Sequence, residues 1–536
     1  MKRMLSLILA LVMAASLAAC GGGNTDNTPA AQTTAGEVDL SKVNQEQQAT
    51  ADVAKTYKKE VTVGLWQVFD RFDPMQETGT AVETVYECVY NTLISYNWDT
   101  RQPEPELAES WVVESTSSYV FNLRKGVKFS NGEEMTADDI VFSYVDRPAD
   151  VQGAPGVAVW GVIDEIEVIN DYCVRFKLNK PDGDFLLRLY LPYYGVMNRD
   201  ACEADPVNGH LIATGGWAYD SFSPNESITL KRFDDSWYWK EFGETPTEKL
   251  IFRFIEENTT RSIALQNAEI AASTQVNTAD IPILQEDKNI NTFLYAGESL
   301  SYGVFNMQPS GKLSGDARLR KAIAYALKYD ELNMIQSDGR AERALSYWGK
   351  SQFGLFTDFD EQYEYNLEKA KQLMAEAGYP NGGLEITLVV RSNESKMAPL
   401  IQAHLKDIGI KVNISSTDSA GISEVIKTGE FDMMLYGISL QPIGDRFAFV
   451  ANVNHNTNRA KYDNQEMMTK FAEALGETDD AKRIEIYKEI QIELHEDLPY
   501  LPLFYGAGAV ASYKGVSGIT WCPSGKHDFT HIMWEE

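Results

Sequence analysis

Between residues 384 and 435 the apolar positions switch repeatedly from a period of two to a period near 3.6. Leu384, Ile386, Leu388 and Val390 alternate as in a strand. Leu400, Ile401, Leu405 and Ile408 then share one helical face, which Gly409 is placed to end. Residues 410–414 read as a second strand, Ile422, Val425 and Ile426 as a short helix, and residues 431–435 as a third strand. Upstream, Leu367, Ala370, Leu373, Met374 and Ala377 line another helix, with Gly378 at its end and Pro380 beyond. This alternation predicts a parallel, doubly wound α/β layer. From about residue 58 to 300 the pattern changes to short alternating strands (119–123, 174–178, 228–230) and few helices, with a first strand from Val61. No repeat of the solenoid or propeller kind is visible.

The start of the chain follows a different logic. Lys2 and Arg3 precede an apolar run over 4–17, and Leu17-Ala18-Ala19-Cys20 leads into three glycines. A basic start, a short apolar stretch and small residues before a cut site predict a signal peptide over 1–19. The cysteine after Leu-Ala-Ala resembles a bacterial lipobox, so Cys20 is the expected lipidation site. Residues 20–57 hold few large apolar side chains and are expected to be a flexible tether. No later apolar run reaches membrane-spanning length, which leaves lipid on Cys20 as the expected membrane contact.

Over 536 residues the net charge is −30, and loss of Lys2 and Arg3 with the leader makes the remainder two charges more negative. Such a balance opposes nucleic acid and direct adhesion to anionic lipid. Besides Cys20 there are Cys88, Cys173, Cys202 and Cys522, which permit three disulfide pairings in an oxidising compartment. Metal and catalytic signals are thin. Cys522, His527 and His531 are spaced like ligands, but Thr530, Ile532 and Trp534 alternate as a terminal strand. Residues 506–511 fit Gly-x-Gly-x-x-Ala without room for the helix and returning strand that a dinucleotide site needs. No nucleophile elbow or phosphate loop is present, and no cofactor is expected.

Residues 105–144 carry a more specific message. Leu107, Ala108 and Trp111, then Phe121, Leu123 and Arg124, then Gly126, Val127 and Phe129, then Thr136, Ala137 and Asp139 resemble the family 5 (cluster C) extracellular solute-binding proteins of ABC importers. Phe72-Asp73-Pro74, residues 213–217, the helix over 317–330, residues 370–379, 405–412 and 429–432 match that family in its order. Locally, Thr136 is expected to cap a helix whose first turn carries Asp138 and Asp139.

The resemblance implies an α/β, two-lobed periplasmic-binding-protein-like fold (type II, cluster C) with an extra subdomain in lobe I. Lobe I is expected from 58–77, 205–299 and 505–536, its extra subdomain from 78–204 and lobe II from 300–504. It implies a non-catalytic receptor, expected to be monomeric on the outer face of the cytoplasmic membrane. The receptor would capture an oligopeptide or dipeptide by lobe closure and hand it to a permease coupled to ATPase subunits. An oligosaccharide, a nickel chelate, a signalling role and a tethered secreted hydrolase are the alternatives. Solute contacts are expected at Thr78, Gly79 and Thr80, at Ser273, Thr274 and Gln275, and at Gly437, Ile438, Ser439, Leu440 and Gln441. The family's amino-anchoring aspartate falls on Gln441, a neutral amide, so Asp445 is its candidate substitute.

Overall fold

Two strands far longer than their neighbours organise the molecule. The computed structural model describes residues 39–47, 55–151, 161–391, 395–440, 442–443, 450–454 and 458–536. Among these, eleven strands form one mixed sheet. In chain order, ten are β1 (Glu60–Leu65), β2 (Trp217–Ser223), β3 (Ser227–Arg232), β4 (Lys249–Phe254), β5 (Ala272–Ser273), β6 (Ile290–Phe305), β7 (Leu384–Arg391), β8 (Ile410–Thr417), β9 (Met433–Ser439) and β10 (Tyr500–Tyr513). They lie in the order β8-β7-β9-β6-β10-β5-β1-β4-β3-β2, and Glu342–Arg343 adds to β10.

The long strands β6 and β10 are antiparallel and serve two halves of the sheet. Ile290 to Ala296 pair with Tyr513 to Ala507, the register then slips, and Leu300 to Val304 pair with Tyr505 to Tyr500. Each half has its own interior. Around the first half, Val63, Leu65, Phe252 and Tyr295 pack on one face, and Leu265, Leu284, Leu294 and Ala511 on the other. Around the second, Phe305, Leu388, Ile401 and Leu501 fill one face, while Tyr302, Val389, Phe471 and Tyr487 fill the other. Separate cores joined through two shared strands give the two lobes.

In the second lobe, β7 runs parallel to both β8 and β9, and helices cover both faces, as the period switching predicts. The turn into β8 requires Gly409: its φ is +78°, and a side chain there would begin 2.5 Å from the Gly382 α-carbon. The sheet as a whole is not parallel: β9 meets β6 antiparallel, because β6 must return along β10 from the other lobe. In the first lobe, Ala108–Ser115, Ser118–Leu123, Cys173–Leu178 and Ile163–Asn170 make a separate antiparallel sheet against the same core. Thr136 and Asp139 form a reciprocal cap on the helix Ala137–Val141: the Thr136 hydroxyl accepts from the first turn and the Thr136 N–H donates to Asp139 at 2.9 Å.

Several local expectations need correction. The expected tether contains a helix, α1 (Leu40–Gln47), whose Leu40 and Val43 are buried in the first-lobe core. Two apolar residues one turn apart suffice here, because a prebuilt surface receives them. The terminal strand is only Met533–Trp534. In line with expectation, residues 506–511 lie within β10 and make no strand-to-helix turn. Cys88, Cys173, Cys202 and Cys522 are free thiols.

Candidate functional site

The expected contact residues fall into three places. Gly437, Ile438 and Ser439 end β9 and pair with Ser301, Leu300 and Ser299 at the point where β6 crosses between lobes. Leu440 continues that edge and is buried, while Ser439 is exposed. Gln441 and Asp445 lie outside the described residues, as does Cys20.

Thr78, Gly79 and Thr80 are half-buried at the start of helix α2 (Thr80–Val89). Gly79 has φ +151°, and no side chain caps this helix, which leaves its first-turn N–H groups to other acceptors. The Gly525 backbone packs against the Thr80 methyl, 3.1 Å from where a side chain would begin. The same loop accepts a 3.1 Å hydrogen bond from the Glu298 N–H at Pro523.

Ser273 and Thr274 are occupied internally. Arg261, 1 % exposed, donates to the Ser273 hydroxyl at 3.1 Å and to the Gln275 carbonyl at 3.0 Å. Burial brings that guanidinium down to about 10. The Ser273 hydroxyl donates to the Gln275 carbonyl, the Thr274 hydroxyl to Gly64, and the Thr274 carbonyl accepts from His527. Of this trio only the Gln275 side chain is exposed. The structure therefore groups 437–440 with the lobe crossing and 78–80 with the 523–525 loop, and uses 273–274 as a brace beneath them.

Glu298 joins the two groups. It lies in the register slip of β6, is 5 % exposed, donates its N–H to Pro523 and accepts at its carbonyl from Leu440 N–H at 2.8 Å. Its carboxylate accepts from Ser351 N–H at 3.2 Å. Burial raises the carboxyl above its ordinary value, against a smaller pull from the Ser351 hydrogen bond. Sequence reasoning passed over this residue. Its one signal is a charged side chain within Ala296-Gly297-Glu298-Ser299, a strand interruption of the kind that re-aims side chains at bulges.

The lobes also meet away from the crossing. Ile443, from the loop after β9, is buried in the first-lobe core. Pro442 and Ile443 offer carbonyls to Phe353 N–H and the Gln352 side chain. Farther out, Asp184 of the first lobe pairs with Arg483 of the second, and Gly183 N–H donates to the Leu475 carbonyl at 2.8 Å.

The model of the bacterial extracellular solute-binding proteins, family 5, middle region, matches residues 102–461. The chain belongs to that family. It is 28% identical over 489 residues to heme-binding protein A of Haemophilus influenzae, covering 84% of this chain and 88% of the relative. It is 27% identical over 503 residues to the dipeptide-binding protein of Escherichia coli, covering 87% and 92%. Among solved structures, the periplasmic binding protein DppA from Helicobacter pylori in complex with the peptide STSA superposes with a TM-score of 0.73 at 26% identity, over 92% of this chain and all of that one. HbpA2 from Haemophilus parasuis shares the fold, with a TM-score of 0.79 at 24% identity, over 88% of this chain and 99% of that one.

A family 5 solute-binding protein captures a solute and is not an enzyme, so its chemistry is that of contacts between lobes. Metal-ligand signals are absorbed structurally. The His527 ring accepts from Cys522 N–H at one nitrogen and faces the Thr274 carbonyl with the other, which occupies both possible donor atoms. Among the described residues no cluster of three histidine, cysteine or acidic side chains could hold a metal ion. Nor is any described helix long and apolar enough to cross a membrane.

Proposed function

We propose that this protein is the lipid-anchored receptor of an ABC importer, taking short peptides by lobe closure and presenting them to the permease. The observation that carries the reading is the pairing of Gly437 to Ser439 with β6 where that strand passes between lobes. A β edge at a hinge offers main-chain groups, and main-chain recognition suits ligands that share a backbone and differ in side chains. Family membership supports solute capture, and the dipeptide-binding relative favours peptide.

In this reading lobe I spans 58–77, 205–299 and 505–536 with the subdomain 78–204, and lobe II spans 300–504. Thr78, Gly79, Thr80, Gln275 and the 437–440 edge face the solute, while Ser273 and Thr274 hold their loop in place. Lipid on Cys20 keeps the receptor beside its permease at high effective concentration.

Mass spectrometry of solute released from native, non-refolded protein tests the substrate class. Peptides should be recovered, and adding one back at about 100 times its dissociation constant should stabilise the fold by roughly 2.7 kcal/mol. Recovery of sugars or metal chelates, with no thermal response to peptides, would sink the peptide assignment.

A further inference from the structure

One short turn of the first lobe touches each group of the proposed site. Within residues 521–527 the Pro523 carbonyl accepts from Glu298 N–H at the lobe crossing, at 3.1 Å. Gly525 packs against the Thr80 methyl. Lys526 is ion-paired to Glu83 in the first turn of α2, and both side chains are buried. His527 faces the Thr274 carbonyl at 3.1 Å. The turn therefore ties together the crossing, the 78–80 segment and the brace at 273–274. At its base Thr520 and Asp528 exchange two main-chain hydrogen bonds, at 2.8 and 2.9 Å.

The entry to this turn is held from outside the lobes. Trp521 is fully buried, with its ring against Phe293, His527 and Phe529. Its N–H donates to the Asn44 side chain at 2.8 Å, and its carbonyl accepts from the same amide at 3.0 Å. Both main-chain bonds at the start of the turn thus come from α1, which precedes the first strand of the body. Buried main-chain groups that lose such partners must find others or move towards water. Either response shifts Trp521, and the turn with it. The lobes themselves depend on α1 far less: it adds only Leu40 and Val43 to a first-lobe core built mainly from other elements.

We infer that α1 is a strap that sets solute affinity, with Asn44 as a positioning residue that acts through Trp521 on the 521–527 turn. The inference rests on the site and the peptide reading proposed above. Docked, α1 holds the turn in the one conformation that meets the crossing, Thr80 and Thr274 together. Undocked, the lobes stay folded while the turn samples other conformations. Affinity then falls by the fraction of molecules that hold the competent one, about tenfold if that fraction is one-tenth.

The test titrates tri-alanine by calorimetry into the full chain as wild type, Asn44→Ala and Ile401→Val, at a temperature where all three are folded. Ile401→Val trims the second-lobe core, far from the turn, and serves as the control for lost stability. Asn44→Ala should bind about tenfold more weakly, and Ile401→Val like wild type. Hydrogen exchange supplies a readout that stability alone does not move: the Glu298 amide, bonded to Pro523, should lose protection in Asn44→Ala and keep it in Ile401→Val. If Asn44→Ala does not fold, Asn44→Asp takes its place, keeping the acceptor for Trp521 N–H without the donor, and should weaken binding by less. Wild-type affinity in the Asn44 variant overturns the inference while the peptide reading stands. So does an equal loss in Ile401→Val, or an affinity loss with the Glu298 amide still protected. A wild type that binds no tri-alanine brings down the peptide reading, and this inference with it.

Discussion

At the scale of single residues, close approach and burial set the constraints. Gly506 faces Ser299 where β6 and β10 cross, and a side chain there would begin 2.1 Å from the Ser299 hydroxyl. That hydroxyl can turn to another rotamer and the next contacts lie at 3.5 Å or more, so Gly506→Ala should cost no more than about 1 kcal/mol, read as a small fall in the urea midpoint. His527 is fully buried, and burial pulls its pKa from 6.5 to about 4. Between those values the unfolded chain binds a proton that the folded chain refuses. This contribution to stability is thus complete above pH 6.5 and falls away as the pH drops towards 4. The loss is ~1.4 kcal/mol per pH unit and about 3 kcal/mol in all. Urea unfolding at pH 7 and pH 5 should show a steeper loss for wild type than for His527→Gln.

At the scale of elements, α1 shows how a short helix is held by a partner remote in sequence. Asp39 accepts from Ser41 N–H and its side chain at the helix start, and Leu40 and Val43 point inward. Asn44, also buried, donates to the Trp521 carbonyl at 3.0 Å and accepts from Trp521 N–H at 2.8 Å. One amide side chain thereby satisfies both main-chain groups of a residue 477 positions away. Asn44→Ala should cost about 1–3 kcal/mol, since two buried main-chain groups lose their partner. Hydrogen exchange should show the Trp521 amide losing protection. The sequence predicts a flexible tether here, and the docked helix was not legible in it, because eight residues in a polar stretch gain stability only from a surface assembled elsewhere.

At the scale of the whole molecule, the lobes touch through charges as well as strands. Asp184 and Arg483 are both buried, and Tyr487 donates to Asp184 at 3.2 Å. Arg483 also lies over the Phe353 ring at 4.4 Å, and Phe353 is bonded to the Pro442 carbonyl of the loop after β9. In the proposed closing motion this pair belongs to the closed form. Asp184→Ala would then leave Arg483 with only the exposed Asp480, 3.0 Å away, as its ion-pair partner among the described residues and speed tri-alanine release by about 30-fold, on the order of 2 kcal/mol. The melting temperature of solute-free protein should barely change. A fall in that temperature with unchanged release would mark the pair as static scaffolding. The charge-swapped pair Asp184→Arg with Arg483→Asp should recover slow release in part.

The amino-acid sequence by itself determined the local alternation of strand and helix in the second lobe, the helix stop at Gly409, the Thr136 cap and the family. Each depends on side chains a few residues apart, whose spacing the chain displays directly. Only the tertiary structure decided that Ser273 and Thr274 are braced from within by Arg261 and His527. It alone placed Asn44 on Trp521, Asp184 on Arg483, and Glu298 between Pro523 and Leu440. Those outcomes depend on which distant segments share an interior and which polar groups lose water there. Spacing along a chain carries periodicity, but burial is a property of the folded whole.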